Sequence, residues 1–147
     1  MARVLAVVEQ RDGALRKISN EVVTAARTIG EGVNAEVDAL LFGPAGVAGQ
    51  AEGLGKFGAA RILVSEHADL TSPELAAQLI ADVAKSGDYF AVVFAGSAQG
   101  KDLAPRVAAR LDAPLATDVT AIAVENGELL LTRPVYSGRA IARIVLQ

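Results

Sequence analysis

Gly96, Ser97, Gly100, Lys101 and Asp102 share the stretch "GSAQGKD", placed after an apolar run and ahead of a helix-like segment. Glycines, a lysine and a helix start at the carboxyl end of a strand are the parts of a phosphate cradle. Free backbone N–H groups and an ammonium can converge there on an anion. The spacing departs from that pattern twice. A phosphate loop has four residues between its outer glycines and a hydroxyl residue after the lysine. Here three residues separate Gly96 from Gly100, and Asp102 follows Lys101. An acid in that position can cap a helix and repels a phosphate. The dinucleotide fingerprint Gly-x-Gly-x-x-Gly is missing here and after the first apolar run. Two readings remain. The loop is a cradle for AMP or ATP in a free-standing nucleotide-binding module, or it is a glycine turn with Asp102 as N-cap and Pro105 in the first helical turn.

Other residues with chemical potential are scattered. His67 sits in the polar loop "SEHADLTS" and is the only histidine, which excludes a multi-histidine metal site within the chain. Glu9 and Asp12 follow the first apolar run and could line a cleft, although acids in loops are usually solvated. Ser137 in "YSGRA" has no histidine near it in sequence. A small hydrolase would need His67 to reach it across the fold. Arg133, ahead of Pro134, could stack or pair at an interface, or form a surface ion pair. No catalytic or metal-ligating constellation emerges, and the chain is read as a non-enzyme.

The 147 positions fit one domain with a real core. Half of the residues are apolar (52%) and aromatics are few (4%), which suits helices on a sheet of small branched residues. A net charge of −3 with interspersed signs offers no nucleic-acid face. The absence of cysteine excludes disulfides, iron–sulfur ligation and thiolate chemistry. The opening apolar run "VLAVV" is too short for a signal or a membrane span, so the expected location is cytoplasmic.

Strand-like and helix-like segments alternate as far as residue 116. Residues 4–9 read as a strand covered on both faces, and residues 35–43, 61–66 and 89–96 as the second, third and fourth strands. Residues 19–30 read as a helix with Ser19 as N-cap, Gly30 as stop, and Val22, Ala25, Ala26 and Ile29 inward. Residues 47–57 form a weaker, glycine-rich helix. Ser72-Pro73-Glu74 starts the clearest helix, with Leu75, Leu79 and Val83 beside Ala76, Ile80 and Ala84 facing a core. After Pro114 the pattern becomes an antiparallel meander with tight turns at Asn126-Gly127 and Ser137-Gly138. The fold class expected is α/β: a three-layer α/β/α Rossmann-like domain over residues 1–147, its sheet mostly parallel, with a C-terminal antiparallel hairpin extension.

Three motifs then fall in order: "VLAVVEQRDGALRKISNEVVTAAR", "GKDLAPRVAARLDAPLATDV" and "RPVYSGRAIARI". Together they resemble the N-terminal domain of an electron transfer flavoprotein alpha subunit. The resemblance implies an alpha–beta heterodimer that passes electrons through FAD from dehydrogenases to a membrane quinone oxidoreductase or another acceptor. It implies FAD held mainly by a C-terminal alpha domain, AMP buried in the beta subunit, and an empty counterpart in alpha. The chain stops at Gln147 inside an apolar run, without the glycine- and serine-rich FAD-binding region. It is therefore expected to be an excised domain, a truncated product or one part of a split subunit, with no cofactor of its own and a scaffolding role. Gly96, Ser97, Gly100, Lys101 and Asp102 become, on this resemblance, a vestige of the beta subunit's AMP loop.

Overall fold

The computed structural model describes residues 2–135 and 140–145, with side chains described for residues 2–134. Elements follow in the order β1 (Arg3–Val7), β2 (Gln10–Arg11), β3 (Ala14–Leu15), α1 (Ile18–Val33), β4 (Glu36–Gly43), 3-10 turns over Val47–Phe57, β5 (Arg61–Glu66), a short 3-10 turn Ala68–Thr71, α2 (Pro73–Ser86), β6 (Tyr89–Val93), α3 (Ala98–Leu111), β7 (Ala121–Glu125), β8 (Glu128–Val135) and β9 (Ala140–Val145).

Four parallel strands form the central sheet in the order β5-β4-β1-β6. Because successive side chains alternate across a strand, β1 and β4 feed two cores. Val4, Ala6, Val37, Ala39 and Leu41 meet Val22, Val23, Ala26 and Ile29 of α1 on one face. Leu5, Val7, Leu40 and Phe42 meet Ala76, Ala77 and Ile80 of α2 and Leu103 and Val107 of α3 on the other. This double burial explains the apolar runs Val4–Val7 of β1 and Ala39–Phe42 of β4, whereas the edge strands β5 and β6 are only partly buried. The antiparallel meander β7-β8-β9 forms a separate sheet on the α1 side, where Leu129 and Leu131 join the same core.

Local chemistry explains several differences from the sequence reading. Helix α1 begins at Ile18 behind Lys17, with no side-chain cap, and ends at the left-handed Asn34. Ser19 lies inside the first turn and Gly30 inside the helix, so neither is a terminus. Helix α2 does start behind Ser72, whose Oγ accepts from Leu75 N–H at 3.4 Å. Its inward face is rotated from the expected stripe: Ala76, Ala77, Ile80 and Ala81 are buried, and Leu75 is 48% exposed. Residues 47–57 make 3-10 turns rather than an α-helix, as three interior glycines would favour.

The polar loop after β1 is a miniature hairpin. Asp12 (φ 53°) and Gly13 (φ 84°) supply the two left-handed residues of its turn. Asn126 (φ 53°) and Gly127 (φ 78°) do the same between β7 and β8, as the sequence indicated. The turn expected at Ser137-Gly138 lies outside the described residues.

At the amino ends of the strands, one carboxylate ties all four together. Asp38 on β4 is fully buried, and it accepts from Arg3 of β1 (2.8 Å), Arg61 of β5 (3.0 and 2.6 Å) and Tyr89 of β6 (2.8 Å). Burial alone would raise its pKa. Hydrogen bonds from Arg61 and Tyr89 and the charges of Arg3 and Arg61 outweigh that and hold it below the ordinary value. Burial and the neighbouring carboxylate push the Tyr89 phenol up to about 12.

Candidate functional site

The strand order reverses direction at β1. The chain leaves β1 through α1 to reach β4 on one side, and it later returns through α2 to place β6 on the other. In open α/β sheets, ligands settle outside the carboxyl ends of the strands at such a reversal. The connections after β1 and β6 carry Glu9 and Ser97 to that place.

Glu9 is 3% exposed, and its polar atoms are heavily engaged. Its Oε1 accepts from the Ser97 hydroxyl, and its Oε2 accepts from Arg16 Nη1 at 2.8 Å. Its backbone N–H donates to Ser19 Oγ at 2.9 Å, and its carbonyl accepts from the Ser19 hydroxyl and from Arg16 N–H, each at 2.9 Å. Ser97 in turn accepts from Gly100 N–H at 3.1 Å and is the N-cap of α3. One residue thus joins the end of β1 to the start of α1 through its backbone and to the start of α3 through its carboxylate.

The five loop residues singled out from sequence divide. Ser97 and Gly100 belong to this crevice. A side chain at Gly100 would put its Cβ 1.8 Å from the Ala95 carbonyl oxygen, so the glycine is there to let α3 start against the strand end. Gly96 has open space around it. Lys101 is exposed and lies 3.8 Å from Asp118. Asp102 is exposed and pairs with Arg106 at 3.1 Å, one turn along the helix. The expected Asp102 cap is therefore corrected. The helix begins five residues after β6, at Ala98, and Ser97 caps it. That puts Pro105 in the helix interior instead of the first turn. Pro105 is on the exposed side, where its missing N–H faces no buried acceptor.

Of the remaining candidates, Asp12 sits at the tip of the small hairpin, away from Glu9's bonds. His67 caps the short 3-10 turn, its Nδ1 accepting from Asp69 N–H at 3.1 Å, and it is 65% exposed. Arg133 donates to Thr117 Oγ1 at 3.4 Å and forms no ion pair among the described residues. Ser137 lies outside the described residues. Among the described residues no cluster of acids and histidine could hold a metal, and no helix is long and apolar enough to cross a membrane. An open depression of about 620 Å³ between α1 and β7, lined by Asn20, Thr24, Thr28, Phe57 and Ile122, holds no catalytic grouping. The sequence marks Ser19 only as a helix cap and does not mark Arg16, because their bonds to Glu9 come from tertiary contact.

The fold is an α/β domain with a mostly parallel central sheet, and Glu9 and Ser97 meet at its strand-order reversal. Residues 4–147 match the family model described as the electron transfer flavoprotein domain. The chain is 36% identical over 146 residues to an electron transfer flavoprotein subunit alpha from Bacillus subtilis, covering 97% of this chain and 44% of that protein. It is 35% identical over 147 residues to the alpha subunit of Syntrophomonas wolfei (98% and 44%) and 41% identical over 123 residues to that of Mycobacterium tuberculosis (81% and 37%). The chain belongs to the electron transfer flavoprotein family, as an alpha-subunit N-terminal domain. It spans less than half the length of these relatives.

Proposed function

We propose that the chain is the scaffold domain of an electron-carrying alpha–beta flavoprotein, without catalytic residues of its own. It packs on a beta subunit and on the FAD-bearing part of the alpha subunit, in the cytoplasm. Electrons pass from dehydrogenases to an acceptor through the assembled complex. Support comes from the family match over residues 4–147 and from the flavoprotein names of its relatives. The observation that carries the reading is the Glu9–Ser97 contact at the strand-order reversal. A buried carboxylate held at that place by Arg16 and Ser97 supports a domain without an FAD or adenylate of its own.

The outer edge of β6 and the exposed Phe90, Phe57 and Leu115 offer surface for packing partners. The test is reconstitution. This chain is mixed with a matching beta subunit, the remaining alpha segment and FAD, then separated by size with absorbance read at flavin wavelengths. A flavin-containing complex that includes this chain is expected. Its absence, with all three components folded, would overturn the proposal.

A further inference from the structure

We propose that Glu9 is a built-in anion occupying a complete anion receptor, a latch that closes the strand-end crevice against small anionic ligands. The proposal stands whether or not the chain serves electron transfer.

Three observations carry it. First, the carboxylate is almost fully withdrawn from water, yet it lies at the carboxyl ends of β1 and β6, where this architecture places ligands. Second, what surrounds it is what an incoming carboxylate or phosphate would require. The Arg16 guanidinium is 2.8 Å from Oε2, the Ser97 hydroxyl donates to Oε1, and the first turn of α3 follows directly. An arginine and a hydroxyl on one buried carboxylate give it charge-assisted hydrogen bonds of the kind that hold ligand anions. Third, both the backbone N–H and the carbonyl of Glu9 are tied to Ser19, so the carboxylate is delivered by a fixed segment and not by a swinging side chain. A phosphate reaching the crevice would meet a full negative charge that the receptor already neutralises.

Removing the carboxylate while keeping the receptor should therefore create a site for a small free anion. The experiment uses the whole chain and compares wild type, Glu9→Ala and Glu9→Gln. Melting is measured in sodium chloride, sodium formate and sodium phosphate at matched ionic strength, and AMP is titrated separately. Formate carries the deleted group itself, and Gln keeps the shape without the charge. Glu9→Ala should melt lower than wild type in chloride and recover by about 3 to 6 °C in 100 mM formate, as a ligand near ten times its Kd would give. Wild type and Glu9→Gln should show no formate-specific rise, and wild type should not respond to AMP.

If Glu9→Ala fails to fold in chloride, the reading is recovery of the far-ultraviolet dichroism on refolding into formate, and no recovery counts against the latch. Equal formate responses in all three proteins would overturn the proposal. So would a folded Glu9→Ala chain indifferent to formate and phosphate, or an AMP response of wild type that is lost in Ser97→Ala.

Discussion

If the loop after β6 is a turn that seats a helix, its two glycines should differ sharply under the same substitution. Gly100→Ala would place a methyl group 1.8 Å from the Ala95 carbonyl oxygen, a backbone atom that no rotamer change can move. Relief requires α3 to retreat by more than an ångström at its first turn. That retreat stretches the Gly100 N–H bond to Ser97 Oγ, now 3.1 Å, and the Lys101 N–H bond to the Ser97 carbonyl, now 2.9 Å. Overpacking of this kind costs about 1–3 kcal/mol. Loss of a serine cap adds about 1 kcal/mol.

The expected loss is therefore about 2–4 kcal/mol. At roughly 3 to 4 °C per kcal/mol for a chain of this size, the melting temperature should fall by about 6 to 16 °C. Gly96→Ala meets nothing within 4 Å and has no left-handed backbone to strain, so it should stay within about 1 kcal/mol of wild type. Urea unfolding of the two variants, followed by circular dichroism, decides the matter. A Gly100→Ala chain within 1 kcal/mol of wild type would refute the close-packing argument. A phosphate cradle, by contrast, would show its sensitivity in ligand affinity.

The Asp38 cluster supports further predictions. Asp38→Asn leaves Arg3 and Arg61 facing a neutral group, and because Arg61 is about half exposed the cost should fall short of a sealed pair, at about 2–3 kcal/mol in urea unfolding. The Asp38 pKa is lowered by folding, so its contribution is full above the unfolded value and drains as pH falls through the folded one. Asp38→Asn should flatten the acid limb of a stability–pH curve. Tyr89 works in the opposite direction: its phenol is raised from 10.0 to about 12, so its contribution is full below pH 10 and is lost as pH rises through 12. Tyr89→Phe should cost about 1–2 kcal/mol at neutral pH and remove that alkaline decline, which thermal melts at stepped pH would detect. Gly127→Val should cost about 1–2 kcal/mol, because φ is 78° there and a β-branched residue resists it.

What the sequence made legible follows from what is local. The four apolar runs, the Ser72-Pro73 helix start and the Asn126-Gly127 turn are set by neighbours in sequence, and the structure agrees at each. The errors come from competition between local signals that tertiary contact decides. Ser19 has the chemistry of a cap, but its hydroxyl is claimed by the Glu9 backbone ten residues earlier, so α1 starts without it. Leu75 fits an inward stripe, but the face that packs is Ala76, Ala77, Ile80 and Ala81, which leaves it outside. The Asp38 cluster was invisible because its four members come from four strands whose register only the folded sheet fixes.

The glycine loop shows the same limit at the site itself. Asp102 has the chemistry of a cap for a helix that starts after a glycine turn. What moves the start back to Ala98 is the close approach that Gly100 permits, together with a serine that already has a partner. That partner, Glu9, lies 88 residues away in sequence. An acid after the first strand and a serine after the fourth are each unremarkable alone. The reversal of strand order brings them together at the carboxyl ends of the strands. The residue that engages the loop's serine is thus an acid outside the glycine motif, and only the folded sheet pairs the two.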